Sequence, residues 1–329
     1  MKSKIFTLCL IATAFSTASF AKIWRVNNNS GVSADFTTAQ AANNDSRVVA
    51  GDTIHLEPSP VSYGDLTAKK RLVWLSVGNF LGQNPGMQYS GTPGSVDNLQ
   101  VDTSANGSAF SITIRSVLTI GSSSTTFDRC YVGGNVNITN TSGGIPANNI
   151  IINSFITTSL GINYGSNQII ANNIIGGHID MSSNTSARIT NNVIKALGDS
   201  YYNNIYNSVF QNNIIKINPT YPCNFYNTSI ENNMTSGTFL PTTNGNMINV
   251  DMSTVFVNPT GTADRDFMLK AGSPAIGSGL NGIDMGAFGG LNPFKLALVP
   301  SIPSIYKIVA PIAPAGPTMN VTFSTKSNN

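Results

Sequence analysis

Charge is scarce in this sequence. Of 329 residues only 10% are Asp, Glu, Lys or Arg, against about 25% in an ordinary soluble protein. Without a basic stripe the chain is not a nucleic-acid binder. Its one basic cluster, Lys69-Lys70-Arg71, has no basic flank and reads as a solvated turn. Histidine is scarcer still, with two residues, and cysteine is limited to three. That supply, widely dispersed, leaves no tetrahedral ligand set for zinc. Beyond the N-terminus no apolar run approaches the ~20 residues that cross a bilayer. Phosphate-loop and dinucleotide motifs are missing too, and Gly133-Gly134 and Gly289-Gly290 read as turn glycines.

What is present begins with an export leader over residues 1–21. Lys2 and Lys4 precede the apolar stretch Ile5 to Phe15, and Ser19-Phe20-Ala21 supplies a small-x-small cleavage site before Lys22. The stretch is too short to remain as an anchor, and Cys9 lacks the small preceding residue of a lipidation site. Loss of Lys2 and Lys4 takes the formal charge from +3 to +1. The mature chain is therefore expected to be secreted or held at the cell surface. Its cysteines, Cys130 and Cys223, are free to pair in an oxidising compartment.

The strongest signal is a repeat. Ile170-Ala171-Asn172-Asn173-Ile174-Ile175 returns as Ile189-Thr190-Asn191-Asn192-Val193-Ile194, as Phe210-Gln211-Asn212-Asn213-Ile214-Ile215 and as Ile230-Glu231-Asn232-Asn233-Met234. Weaker copies are Ile151–Ile156 and Phe127–Val132. The first turn position falls at 129, 153, 172, 191, 212 and 232, in steps of 24, 19, 19, 21 and 20. A period near 20 with β-branched flanks predicts a right-handed parallel β-helix, each coil holding three strands and three turns. Asparagine enters the left-handed backbone region at low cost, and its recurrence predicts a ladder of stacked amides along the axis. About nine coils would span on the order of 40 Å. Cys130 and Cys223 fall four to five coils apart, about 20 Å along the axis, too far for a disulfide, which needs about 7 Å or less. Two free thiols are expected. The sequon Asn227-Thr228-Ser229 is a by-product of asparagine-rich composition.

Period-two segments at 135–138, 162–164, 178–181 and 204–206 predict a second sheet with Val136, Ile138, Ile162, Ile179 and Met181 inward. Asp35–Ala42 predicts a short capping helix, followed by a first strand over Gly51–Leu56. The expected organisation is a leader over 1–21, an N-terminal cap and first coils over 22–92, and the β-helix with a terminal capping coil over 93–294. Residues 295–329 form a proline-punctuated tail, its last strand near Asn320–Phe323 and its apolar runs 296–299 and 302–308 docked on the solenoid.

With Gly51–Leu56, the Asn-Asn coils, Ser273-Pro274-Ala275-Ile276 and Asp284–Gly290 in view, residues 22–294 resemble exported bacterial right-handed parallel β-helix repeat proteins of the pectate-lyase-like superfamily. The resemblance implies the fold but no single activity, because such folds carry lyases, hydrolases, epimerases and non-catalytic binding proteins. Calcium is implied only by that resemblance; no coil brings two acids close together apart from Asp264 and Asp266, which flank Arg265. Polysaccharide-cleaving relatives place their chemistry outward on one sheet, and here the outward row reads Asn137, Asn163, Asp180. His178 and Asp180 share a strand face and form the one candidate acid–base pair, with Arg188 in the same coil as a candidate base. The simpler reading makes them solvated strand residues. Between Asn191 and Asn212 the coil lengthens by two residues, and Asp199, Tyr201 and Tyr202 there have the chemistry to stack on sugar rings. Tyr164, Tyr206 and Phe225 read as core or stacking residues. The leading expectation is a non-catalytic monomer that binds a polysaccharide or cell-surface glycan along its long sheet, with no cofactor. The alternatives are a lyase or glycoside hydrolase acting on an acidic polysaccharide, and an adhesive surface protein.

Overall fold

The computed structural model describes residues 21–84, 91–195, 203–216, 223–313 and 316–327. Three parallel sheets of ten, eight and six strands run side by side along one axis. A single coil shows how the chain builds them. Gln168–Ala171 lies in the first sheet, Ile174–Ile175 in the second and Ile179–Met181 in the third, and Ala187–Thr190 then returns to the first. Repetition gives about eight turns of a right-handed parallel β-helix.

Register explains the core. Trp74, Phe110, Phe127, Ile151, Ile170, Ile189 and Phe210 are successive partners in the first sheet and are at most 1% exposed. Phe110 and Phe127 stack with centroids 5.0 Å apart. Each such side chain contributes about 1.5–3 kcal/mol by leaving water. Against it pack Val136, Ile138, Ile162, Ile179 and Met181 of the third sheet, inward as their alternation predicts.

The two asparagines of each repeat divide the work. The first residue, at 153, 172, 191, 212 and 232, takes the left-handed turn at φ 50–55°. The second carries the amide column. Asn173 Nδ2 donates to Asn192 Oδ1, Asn192 Nδ2 to Asn213 Oδ1, Asn213 Nδ2 to Asn233 Oδ1 and Asn233 Nδ2 to Asn246 Oδ1, all within 3.0–3.1 Å. Each of these acceptors also takes the preceding asparagine's backbone N–H. A second left-handed column, Asn148, Asn167, Asn207 and Asn227 with φ 45–57°, bends the chain into the other end of the first sheet. Asn227 therefore has a structural place, its Nδ2 donating to Asn207 Oδ1 at 3.0 Å.

The expected first strand over Gly51–Leu56 is the second, Thr53–Leu56, since Ile23–Val26 precedes and pairs with it; three further expectations for the cap and coils need correction. The short helix spans Ala39–Asn44, later than expected, because Thr38 accepts the Ala41 N–H and sets its start. Its Gln40 and Asn43 accept the Thr67 and Lys69 backbone N–H groups at the free edge of Leu66–Ala68. In the third sheet the strand is Leu160–Ile162, so the outward row is Asn137, Gly161, Asp180, with Asn163 beyond the strand end. Asn203–Tyr206 pairs with Cys223–Tyr226 in a separate two-stranded sheet, since the Asp180 carboxylate takes the Asn204 N–H.

The C-terminal region runs back along the outside. The outward faces of Phe155, Ile174, Val193, Ile214 and Met234 in the second sheet are covered by Met252, Val255, Phe256, Phe267, Met285 and other residues of this strap, forming a second core. The left-handed asparagines fasten it. Asn232 donates to the Ser278 carbonyl, Asn191 to Asp284, and Asn172 to Ala287 and Gly289, while Asn212 accepts the Leu280 N–H. Ala297 and Leu298 are buried, so this part of the tail docks. The expected docking of 302–308 does not occur. Ser304–Val309 instead pairs antiparallel with Thr322–Lys326, leaving Ile305, Ile308 and Phe323 about half exposed.

Cys130 and Cys223 are free and buried, as their spacing predicts. Burial pushes both thiols up to about 12. Neither is expected to react with iodoacetamide at pH 8 until the chain is unfolded in denaturant, because the attacking species is the thiolate. Mass-spectrometric labelling at either position in the native protein would contradict this.

Candidate functional site

The outward face of the first sheet carries a groove of about 1180 Å³. Its floor follows directly from register. Ile150, Ile169, Arg188, Val209 and Ser229 are partners on five successive strands, spaced about 4.8 Å apart and so spanning about 19 Å. Along one wall stand Asn148, Asn167, Asn207 and Asn227, all exposed. Left-handed turn geometry puts them there. Asn207 is held by bonds from its Nδ2 to the Ser183 and Thr185 carbonyls at 3.0 and 3.1 Å. Phe225 and Ile230 line the far end, and Phe225 meets Phe210 edge-on at 5.3 Å. Apolar steps, open amides and one guanidinium thus face a single trough.

The row beside this floor holds the carboxylates of the sheet. Asp128, Ile152, Ala171, Thr190, Gln211 and Glu231 are successive partners. Its two acids stand five strand spacings apart, about 24 Å. Paired glycosidase carboxyls sit about 5–9.5 Å apart, so these two cannot work on one bond. Burial raises the Asp128 carboxyl above its ordinary range, against the bond from Asn153 and the charge of Arg129. Glu231 is occupied by Ser229 Oγ at 2.6 Å and Gln211 Nε2 at 3.2 Å.

The residues singled out from sequence are not assembled into one centre. Arg188 lies on the groove floor in the first sheet, whereas His178 and Asp180 belong to the coil segment that forms the third. His178 Nδ1 is 3.0 Å from Ser159 Oγ, and Asp180 Oδ1 accepts the Asn204 N–H at 3.2 Å. Asp199, Tyr201 and Tyr202 lie outside the described residues. Of the three aromatics assigned to core or stacking, Tyr206 stacks on Tyr226 at 4.6 Å and Phe225 lines the groove, but Tyr164 is 52% exposed. It follows the strand end at Ile162, where side chains leave the core.

No family model matches the chain, and no curated protein matches it. Among solved structures it is similar to pectate lyase Pel9A, at 16% identity over 82% of this chain and 96% of that one, with a TM-score of 0.38. The assignment as a parallel β-helix rests on this chain's own sheets and register.

Calcium, which the resemblance alone implies, finds no fit among the described residues. Such an ion takes six to eight oxygens with several carboxylates among them, and the third-sheet row offers one carboxylate, already bonded to a backbone N–H. Among the described residues no three His, Cys, Asp or Glu side chains gather as ligands. The groove floor was missed in sequence because its residues share no chemistry. Their signal is position, three residues before each left-handed asparagine.

Proposed function

We propose that the chain binds an extended polysaccharide along the first-sheet groove and holds it without cleaving it. The observation that carries this reading is the lining: a trough five strands long whose floor carries Ile150, Ile169 and Val209 with the Arg188 guanidinium among them, beside a wall of open asparagine amides. A pocket for a small ligand occupies about 300–1,000 Å³ and largely encloses it. This groove is larger and lies across repeating strands, which suits a repeating polymer. Sugar recognition combines apolar contact with hydrogen bonds to hydroxyls, and exposed Asn side chains offer both donors and acceptors. The wide separation of Asp128 and Glu231 supports retention over hydrolysis. One copy supplies the whole groove, so a monomer suffices. No helix among the described residues is long and apolar enough to cross a membrane, and the leader reading places the protein outside the cell or on its surface.

A glycan array followed by calorimetry on the retained polymers tests the proposal. Ile169→Glu and Arg188→Ala are each expected to weaken binding at least tenfold, about 1.4 kcal/mol, and Asp180→Asn to leave affinity unchanged. Retention of no glycan, or full affinity in both groove variants, would sink it. Release of unsaturated or reducing-end products, abolished by Asp180→Asn, would establish the lyase or hydrolase reading instead.

A further inference from the structure

The first rung of the solenoid contains a buried carboxylate with an unusual set of partners. Asp52 is 2% exposed. Its Oδ2 accepts from the Trp24 indole at 2.8 Å and the Val49 N–H at 3.0 Å, and its Oδ1 accepts from the Lys22 backbone nitrogen at 2.8 Å. Among the described residues it has no side-chain cation as a salt-bridge partner. The Lys22 ammonium lies 3.4 Å over the Trp24 ring and acts on Asp52 through its charge, without a bond to it. The Lys22 carbonyl accepts the Thr53 N–H at 2.8 Å, which fixes the backbone at this point. Ala21, one residue earlier, is exposed, and it closes the Ser19-Phe20-Ala21 small-x-small motif.

We propose that hydrolysis of the Ala21–Lys22 bond leaves the new Lys22 α-ammonium docked on Asp52, so that leader removal itself completes the first coil. Water adds across the bond: its hydroxyl goes to the Ala21 carbonyl carbon and its hydrogen to the Lys22 nitrogen, and the freed amine takes up a proton at neutral pH. The enzyme required is an export peptidase that accepts small residues where Ser19 and Ala21 stand. The nitrogen already lies at hydrogen-bonding distance, so no backbone movement is needed. What changes is the charge: a bond already assisted by the buried carboxylate gains a cationic donor, so an ion pair is added to the hydrogen bond.

Burial alone pushes the Asp52 carboxyl up, but the bonds from Lys22, Val49 and Trp24 outweigh it and hold the group below its ordinary range. The carboxylate is therefore ionised when the ammonium forms. The charged groups around the pair are the Lys22 side chain, Arg47 over the other ring contacts of Trp24 and Phe36, its partner Asp45, and Asp35. They are common to the proteins compared below.

Mass spectrometry of the exported protein is expected to find a free α-amine on Lys22. Full mature chains starting at Lys22 or at Ala21 are then compared by thermal unfolding. At pH 7 the Lys22 form is expected to melt roughly 3–6 °C higher. Pairing raises the amine above its ordinary ~7.7–8.0; the advantage is thus complete below that range and disappears as pH rises through the raised value. Asp52→Asn is expected to abolish the difference between the two forms. If that variant fails to fold, α-amine acylation at pH 7 is the substitute readout, slower in the native Lys22 form than in urea. A different N-terminus on the exported protein, equal melting of the two forms, or native acylation as fast as unfolded would overturn the proposal.

Discussion

Asn213→Ala is expected to destabilise the protein by about 4–6 kcal/mol, several times the effect of Asn212→Gly next to it. Asn213 is fully buried and takes part in four side-chain bonds: to the Ile189 carbonyl, to Asn233 Oδ1, and from both the backbone and side-chain nitrogens of Asn192. Truncation removes all four and strands the Asn192 backbone N–H in a dry site. One orphaned buried group costs about 1–3 kcal/mol, and each further lost bond adds about 1 kcal/mol. Asn212 has a left-handed backbone, φ 55°, which glycine adopts freely. Its loss forfeits one side-chain bond, to Leu280 N–H. Urea unfolding midpoints of the two variants measure the contrast directly; equal losses would show that the amide column contributes no more than the turns do.

That contrast bears on what the sequence makes visible. The Asn-Asn pairs announce the coil because the period is short and the residue type is constant. Which asparagine of the pair does which task is not visible, since turn and amide column require the same side chain. The second left-handed column stands five residues before the first, at Asn148, Asn167, Asn207 and Asn227, with Ser186 breaking the series; interrupted in this way, it merges into an asparagine-rich background. The third-sheet row was misread at one coil because Leu160-Gly161-Ile162 and Ile162-Asn163-Tyr164 both alternate. Backbone pairing with Val136–Ile138 decides for the former. Groove residues escaped notice for a different cause. Ile150, Ile169, Arg188, Val209 and Ser229 recur at the coil period yet differ in kind, and a binding floor assembled from unlike residues has no motif.

The strap was the least legible part and has the largest expected effect. Residues after Val250 carry no repeat, and nothing in Phe155, Ile174, Val193, Ile214 or Met234 distinguishes an outward apolar side chain from an inward one. Only the stacked sheet separates them: these five face the strap, while Ile156, Ile175, Ile194 and Ile215 face the bore. A chain ending at Val250 would uncover Ile174, Val193, Ile214 and Met234, while Phe155 keeps its ring contacts with Phe80 and Tyr131. At about 1.5–3 kcal/mol each the four give roughly 6–12 kcal/mol, an upper figure because denatured chains bury some of this surface themselves. A whole domain is stable by only about 5–15 kcal/mol. The truncated chain is therefore expected to lose cooperative unfolding, bind a hydrophobic dye and associate in size-exclusion chromatography. Phe267→Ala in the full chain isolates one contact. Phe267 is fully buried, meets Phe256 edge-on at 5.8 Å and lies under the Lys195 ammonium. Its loss should cost about 3–5 kcal/mol while leaving the chain monomeric. If the truncated protein instead melts as a single monomeric unit at the full-length temperature, the strap is an ornament on a self-sufficient solenoid, and the left-handed asparagines that fasten it serve the turns alone.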